Sequence, residues 1–234
     1  MEFAIIDNNK CAINGFDKWP APKASKQWKC GRSAMELAKF VLNRADFSSL
    51  INSVLCDCGF EPMYFDCYPE YKTSLGKGMC KGGPRVHDML MIGEKMVIGI
   101  EAKVSESFDE KIKKIKEPGK IERSEKLAHV LSDNNSANYK DIGYQLFTAT
   151  YGTMKAAIDA GKDVCIALFI VFKGNVCKES NYDDKCREND KDFNRFCEFI
   201  NVQDGYIIRN ILGKRIKCWI KKIEVEIGTD YSFT

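Results

Sequence analysis

Two acidic residues and a lysine stand near one another in the middle of this sequence, around two short apolar runs. Twelve residues separate Asp88 from Glu101, and Lys103 follows two positions later. The intervening Gly-Glu-Lys at 93–95 predicts a tight hairpin turn between two strands. A two-residue turn at 94–95 places Asp88 opposite Glu101, and a three-residue turn shifts this pairing by one position. In both cases the two carboxylates lie at the open end of the hairpin.

The chemistry expected of this group is the binding of a hard divalent cation. Glu101 and Lys103 share a face of the strand, because side chains alternate along it. Carboxylate oxygens are the ligands that Mg²⁺ or Mn²⁺ prefers, and a neighbouring lysine can orient a water molecule or stabilise charge on a phosphate. Charges that end an apolar run are costly unless they are paired or bind metal, which favours a site over ordinary surface charges. Since two adjacent carboxylates repel, we expect the loss of either one to leave the fold intact and even to stabilise it.

The pattern of Asp88, a dozen residues and then Glu101-Ala102-Lys103 on a hairpin resembles the active site of the PD-(D/E)xK nuclease superfamily. His87 stands where that superfamily usually has a proline. The segments 31–38, 104–108 and 144–146 occur in an order similar to that of a bacterial family of unknown function with an assigned restriction-endonuclease-like fold. The resemblance covers roughly residues 30–172. It implies a Mg²⁺- or Mn²⁺-dependent nuclease in which Asp88 and Glu101 hold the metal.

Two further polar residues each have a catalytic and a structural interpretation. Glu36 lies three residues after Ser33, which is the spacing of a helix capping box. The resemblance alternatively implies that Glu36 assists the metal. Gln145 is either a solvent-exposed helix residue or, as the resemblance implies, a residue that faces the active site. His87 is interpreted as structural, because it neighbours Asp88 and points to the opposite face of the strand.

The glycine-rich segment 72–85 before Asp88 is a candidate nucleic-acid contact. It lacks the pattern of a phosphate-binding P-loop, since no Lys-Ser or Lys-Thr follows its glycines. The alternative is a solvated connection with no such role. If the segment does contact a nucleic-acid backbone, the residues expected to do so are Lys72, Lys77, Lys81 and Arg85.

Composition and length favour one globular α/β domain over residues 1–234. The net charge of +3 and the hydrophobic content of 44% are ordinary, so any nucleic-acid binding depends on local patches. No apolar run is long enough to span a membrane, and the N-terminus does not resemble a signal peptide, so we expect a cytoplasmic protein. Eleven cysteines in unpaired spacings are read mainly as free thiols, with a metal site or disulfides as alternatives.

The order of predicted elements indicates a mixed central β-sheet flanked by helices, with a restriction-endonuclease-like core at about 30–172 and an extension, 173–234, that completes the sheet. Residues 1–29 and 173–191 are expected to be irregular. Helices are predicted at 33–44, from 48 or 49 to 59, at 124–131, 139–160 and 192–200. Strands are predicted at 62–71, in the hairpin, at 164–172, 205–211 and 215–227.

The favoured function is hydrolysis of phosphodiester bonds, with nucleic acid as the partner and DNA preferred over RNA. The resemblance places such an enzyme in bacterial or phage defence, restriction or repair. A catalytically inactive nuclease-fold module used for binding is the alternative. An RNase activity and a homodimer stay open.

Overall fold

The computed structural model describes residues 1–20, 28–76, 79, 83–104, 106–132, 138–174 and 182–226, without the side chains of 182 and 183. The strands in this part of the chain are β1 Phe3–Ile5, β2 Phe65–Thr73, β3 Arg85–Gly93, β4 Val97–Lys103, β5 Val164–Lys173, β6 Tyr206–Ile211 and β7 Lys214–Glu226. The α-helices are α1 Ser33–Leu42, α2 Arg44–Asp57, α3 Pro118–Leu131, α4 Tyr144–Asp159 and α5 Tyr182–Phe199.

The strands form one mixed sheet in the order β1-β2-β3-β4-β5-β7-β6. Antiparallel pairing joins β2 to β3, β3 to β4 and β6 to β7, whereas β1–β2, β4–β5 and β5–β7 are parallel. One face packs against α1 and α2 through residues such as Leu37 and Ile51, and the other packs against α3, α4 and α5. The predicted class, an α/β protein with a mixed central sheet and flanking helices, is therefore confirmed.

Several predicted boundaries were wrong, and buried polar residues explain the largest error, at α5. Residues 1–29 were expected to be irregular, but β1 extends the sheet beside β2. Helix α5 begins ten residues before the expected start at 192. The earlier start was not predicted because two polar residues lie on the buried face of the helix and interrupt its apolar pattern. Asn189 and Asp192 are both fully buried there, between Cys186 and Phe196. Helices α2 and α3 also begin earlier than predicted, at Arg44 and Pro118.

Two further boundaries shift: the helix predicted at 139–160 begins at Tyr144, after a separate 3-10 turn at Tyr139–Asp141, and the strand predicted at 62–71 lies at Phe65–Thr73. The other predictions hold more closely. Strand β5 is buried on both faces, as its continuous apolar run indicated. The C-terminal strands β6 and β7 complete one edge of the sheet.

All nine cysteines in the described residues are free thiols. In the same part of the chain, no helix is both long and apolar enough to span a membrane.

Of the two turns that the sequence leaves open, the central hairpin has the two-residue one. Ile92 pairs with Val97, and the Gly93 N–H donates to the Met96 carbonyl at 2.9 Å. The turn therefore consists of residues 94 and 95, and the register counted outward sets Asp88 against Glu101.

Candidate active site

Beyond residues 89 and 100 the two strands of the hairpin separate. Their pairing ends at Met89–Ile100, although β3 continues along β2 to Arg85 and β4 continues along β5 to Lys103. The sheet thus opens into a fork between β3 and β4. Because Asp88 lies on one arm and Glu101 on the other, the fork brings the predicted residues together without backbone pairing between them.

Asp88 takes the place of a strand partner where the pairing stops. Its Oδ2 accepts a hydrogen bond from the backbone N–H of Ala102 at 2.7 Å. This contact fixes the Asp88 carboxylate between the two arms of the fork. A carboxylate has further acceptor positions on its two oxygens, so this bond does not exhaust what Asp88 can bind.

Glu101 is buried and bonded to two cations. Its Oε1 accepts from Lys103 Nζ at 2.6 Å, and its Oε2 accepts from the Arg85 guanidinium. The side chains of Glu101, Lys103 and Arg85 are only 2%, 8% and 10% exposed. Burial lowers the pKa of Lys103 below its ordinary value, and the nearby Asp88 carboxylate opposes this shift. These two cations neutralise Glu101, so its charge is stabilised by its partners and the expected gain in stability from its removal does not apply.

An open cleft of about 670 Å³ lies at the mouth of the fork. It is lined by Ser33, Ala34, Glu70, Arg85, Val86, Asp88, Lys103, Glu106, Ser107, Asp109, Glu110 and Gln145. Five of these side chains are carboxylates and two are cations. The cleft therefore favours a cation over an anion as its first ligand.

Glu70 is one of four cleft carboxylates that the sequence patterns did not assign to the site; the others are Glu106, Asp109 and Glu110. It lies on β2 beside Asp88, and its φ of 51° is a left-handed conformation that non-glycine residues seldom adopt. Burial, together with the nearby Asp88 charge, raises the pKa of Glu70 to about 7. Pro69 was the available signal, since a proline inside a strand marks an irregularity in the ladder.

The two residues with open interpretations fall in different places. Gln145 lies in the first turn of α4 and lines the cleft. Glu36 is fully buried and does not line the cleft; it accepts hydrogen bonds from the Gly31 N–H at 2.8 Å and from Lys39 Nζ at 3.0 Å. The predicted capping box is wrong in register, because Arg32 is the N-cap and Glu36 reaches the backbone before it.

His87 has a structural environment, as predicted. Its Nε2 lies 3.1 Å from Thr73 Oγ1, and its ring packs against Gly152 of α4. Burial and the nearby Arg85 charge lower the pKa of His87 well below its usual range, so the ring is neutral at pH 7.

The expected nucleic-acid contacts separate into three cases. Arg85 lines the cleft, and Lys72 is exposed on β2, next to the arm of the fork that carries Asp88. Lys77 and Lys81 lie outside the described residues.

The donor chemistry of the fork suits a hard divalent cation, although its present arrangement is not a closed ligand set. No three His, Cys, Asp or Glu side chains are grouped as metal ligands in the described residues. Glu101 is bonded to Arg85 and Lys103, which keeps its oxygens from a cation. Asp88 and Glu70 nevertheless form a half-buried acidic pair whose mutual repulsion a cation would relieve.

The fold and the site together define a mixed α/β protein with an acidic cleft at the fork of its central hairpin. The chain belongs to the family described as "Domain of unknown function (DUF6946)", whose model matches residues 12–226. No curated protein and no solved structure matches the chain.

Proposed function

We propose that this protein is a metal-dependent nuclease that hydrolyses phosphodiester bonds, with DNA as the favoured substrate. The observation that carries the proposal is the convergence of Asp88, Glu101 and Lys103 at the fork. Two charged residues in this group are nearly inaccessible to solvent, at 1% exposure for Glu101 and 6% for Lys103. Burial of such groups is costly, and it is most readily explained if the fork performs chemistry.

Each residue has a role that its position supports. Asp88 and Glu101 would hold Mg²⁺ or Mn²⁺, which when bound polarises the scissile phosphate and lowers the pKa of a bound water molecule. Lys103 lines the cleft and would orient the attacking water or stabilise charge on the phosphate. Gln145 would help to position these groups from the first turn of α4.

The electrostatics of the cleft make the cation a precondition for the substrate. Five carboxylates line the cleft and would repel a nucleic-acid phosphate. A bound divalent cation would offset part of this negative charge and present a positive centre to the phosphate, and Lys72 would then contact the backbone beyond the cleft. The expected setting is the cytoplasm, in defence, restriction or repair.

The direct test is to incubate the protein with supercoiled DNA, linear duplex, single-stranded DNA and RNA, each with Mg²⁺, Mn²⁺ or EDTA. Cleavage that requires the metal and disappears in Asp88→Asn supports the proposal. Asp159→Asn is the matched control, because Asp159 is the last residue of α4, roughly 21 Å along the helix axis from Gln145 in its first turn. Absence of cleavage with every substrate, or unchanged cleavage by Asp88→Asn, would exclude this site as a nuclease centre.

One observation favours the alternative of a binding module without catalysis. Arg85 and Lys103 already neutralise Glu101, so the buried charges are paired without a metal. A binding module would retain nucleic acid in EDTA and show no affinity for Mn²⁺ in calorimetry. The nuclease requires that affinity.

A further inference from the structure

Arg85 occupies a carboxylate oxygen that the proposed metal site needs. Its guanidinium donates to Oε2 of Glu101, while Lys103 donates to Oε1. Arg85 itself lines the cleft, whereas Glu101 is not among the cleft residues. The buried Nε of Arg85 has no hydrogen-bond partner among the described residues. Arg85 is therefore bonded to Glu101 on one side and incompletely satisfied on the other.

A divalent cation competes with these two donors for the charge of the same carboxylate. Each oxygen of Glu101 already accepts from one cationic donor, and a divalent cation that approaches Glu101 is repelled by both positive charges, so its binding favours the departure of one donor. Lys103 is two residues from Glu101 on the same strand, so its contact is local. Arg85 reaches across the fork from β3, where no backbone pairing joins the two arms. Arg85 is thus the donor that is more readily displaced.

A displaced Arg85 would be well suited to bind the substrate. The guanidinium is a planar fork of N–H donors that matches the oxygens of a phosphate in a bidentate geometry. Its position in the wall of the cleft places these donors where a phosphodiester must approach the metal.

We propose that a divalent cation and the Arg85 guanidinium compete for Glu101, so that binding of the cation releases Arg85 to bind a phosphate of the nucleic acid. This inference rests on the proposed function and deepens it, because it makes phosphate binding at the site depend on metal. In the metal-free protein the Arg85 guanidinium donates to the Glu101 carboxylate, and in the metal-bound protein it donates to a phosphate of the substrate.

The first test measures Mn²⁺ affinity by calorimetry with no nucleic acid present. Arg85→Met removes the competing charge and keeps an unbranched stem beside Gly152, against which the Arg85 Cγ packs. We expect it to bind Mn²⁺ roughly tenfold more tightly than the wild type, the scale that corresponds to about 1.4 kcal/mol. Arg32→Met is the matched control, since Arg32 pairs with Glu106 of the cleft without contacting Glu101. It should change the affinity by less than about twofold.

The second test follows the released guanidinium. A short DNA duplex is titrated with and without Ca²⁺, which replaces the catalytic metal. Wild-type protein should bind the duplex more tightly with Ca²⁺, and this gain should be several-fold smaller in Arg85→Met. A purely structural role of Arg85 would leave the ratio of the two affinities unchanged.

The outcomes separate the two proposals. A wild-type protein that binds no Mn²⁺ overturns the proposed function, and the inference with it. A wild type that binds Mn²⁺ while Arg85→Met binds it no more tightly overturns the competition and leaves the nuclease standing. If Arg85→Met does not fold, Mg²⁺ titration of the wild type decides by NMR. One arginine Nε–H resonance that shifts until the metal saturates supports the competition, and unchanged arginine resonances refute it.

Discussion

Glu101→Gln should destabilise the protein strongly, although its partner at the fork tolerates the corresponding change. The Glu101 carboxylate is the bonded counter-ion of both Arg85 and Lys103 in a region that water scarcely reaches. Removing its charge leaves two buried cations facing each other. Loss of one partner from a buried ion pair costs about 3–5 kcal/mol. For a domain of this size, each kcal/mol corresponds to about 2–4 °C, so we expect the melting temperature to fall by about 6–20 °C.

Asp88→Asn provides the comparison. The amide oxygen of asparagine can still accept the hydrogen bond from the Ala102 N–H. The lost attraction to Arg85 and Lys103 is offset by the lost repulsion of Glu70, so the change in free energy should be about 1 kcal/mol or less. Both variants should be inactive as nucleases, but only one should be unstable.

Chemical denaturation of the two variants and of a double variant measures these differences. Combining Glu101→Gln with Arg85→Met removes one of the stranded cations and should recover at least half of the lost stability. Equal unfolding free energies for Glu101→Gln and Asp88→Asn would refute the reasoning. So would strict additivity in the double variant, because residues that share an ion pair must show coupling.

Three further outcomes are expected. Gly99→Ala should lose about 1–3 kcal/mol of unfolding free energy, since its Cβ would lie 3.0 Å from the Thr153 Cβ on α4. Gly83→Ala should lose little, because no atom of the described residues lies within 4 Å of a Cβ added there. Lys103→Met should lower single-turnover cleavage by about two orders of magnitude, while calorimetry finds Mn²⁺ binding no weaker than in the wild type. Lost metal affinity with unchanged cleavage would contradict its role. The pKa of Glu70 is raised to about 7, so the folded state holds the Glu70 proton more tightly than the unfolded state does. The stability that this proton contributes is fully present below pH 4.5 and is lost as the pH rises through 7. Glu70→Gln should therefore stabilise the protein by about 1–3 kcal/mol at pH 8 and by much less at pH 4. Melting curves of that variant and the wild type at both pH values test this, and equal differences at both would contradict it.

Local patterns were sufficient for most of the fold. The apolar runs on either side of a short turn determined the central hairpin and left two registers, of which the structure has the one with the two-residue turn. The continuous apolar run at β5 likewise indicated a strand with both faces buried. Helix α5 could not be delimited in this way, since its buried face includes Asn189 and Asp192, whose polarity conceals the helical period.

The sequence by itself determined that Asp88, Glu101 and Lys103 would meet at one end of a hairpin, because their spacing and the turn fix that geometry locally. Only the tertiary structure decided which other side chains these three residues contact. Arg85 bonds Glu101 across a fork that exists because β3 follows β2 and β4 follows β5, a consequence of pairing between distant segments. The burial of these charges depends on the same long-range packing, which no local pattern encodes.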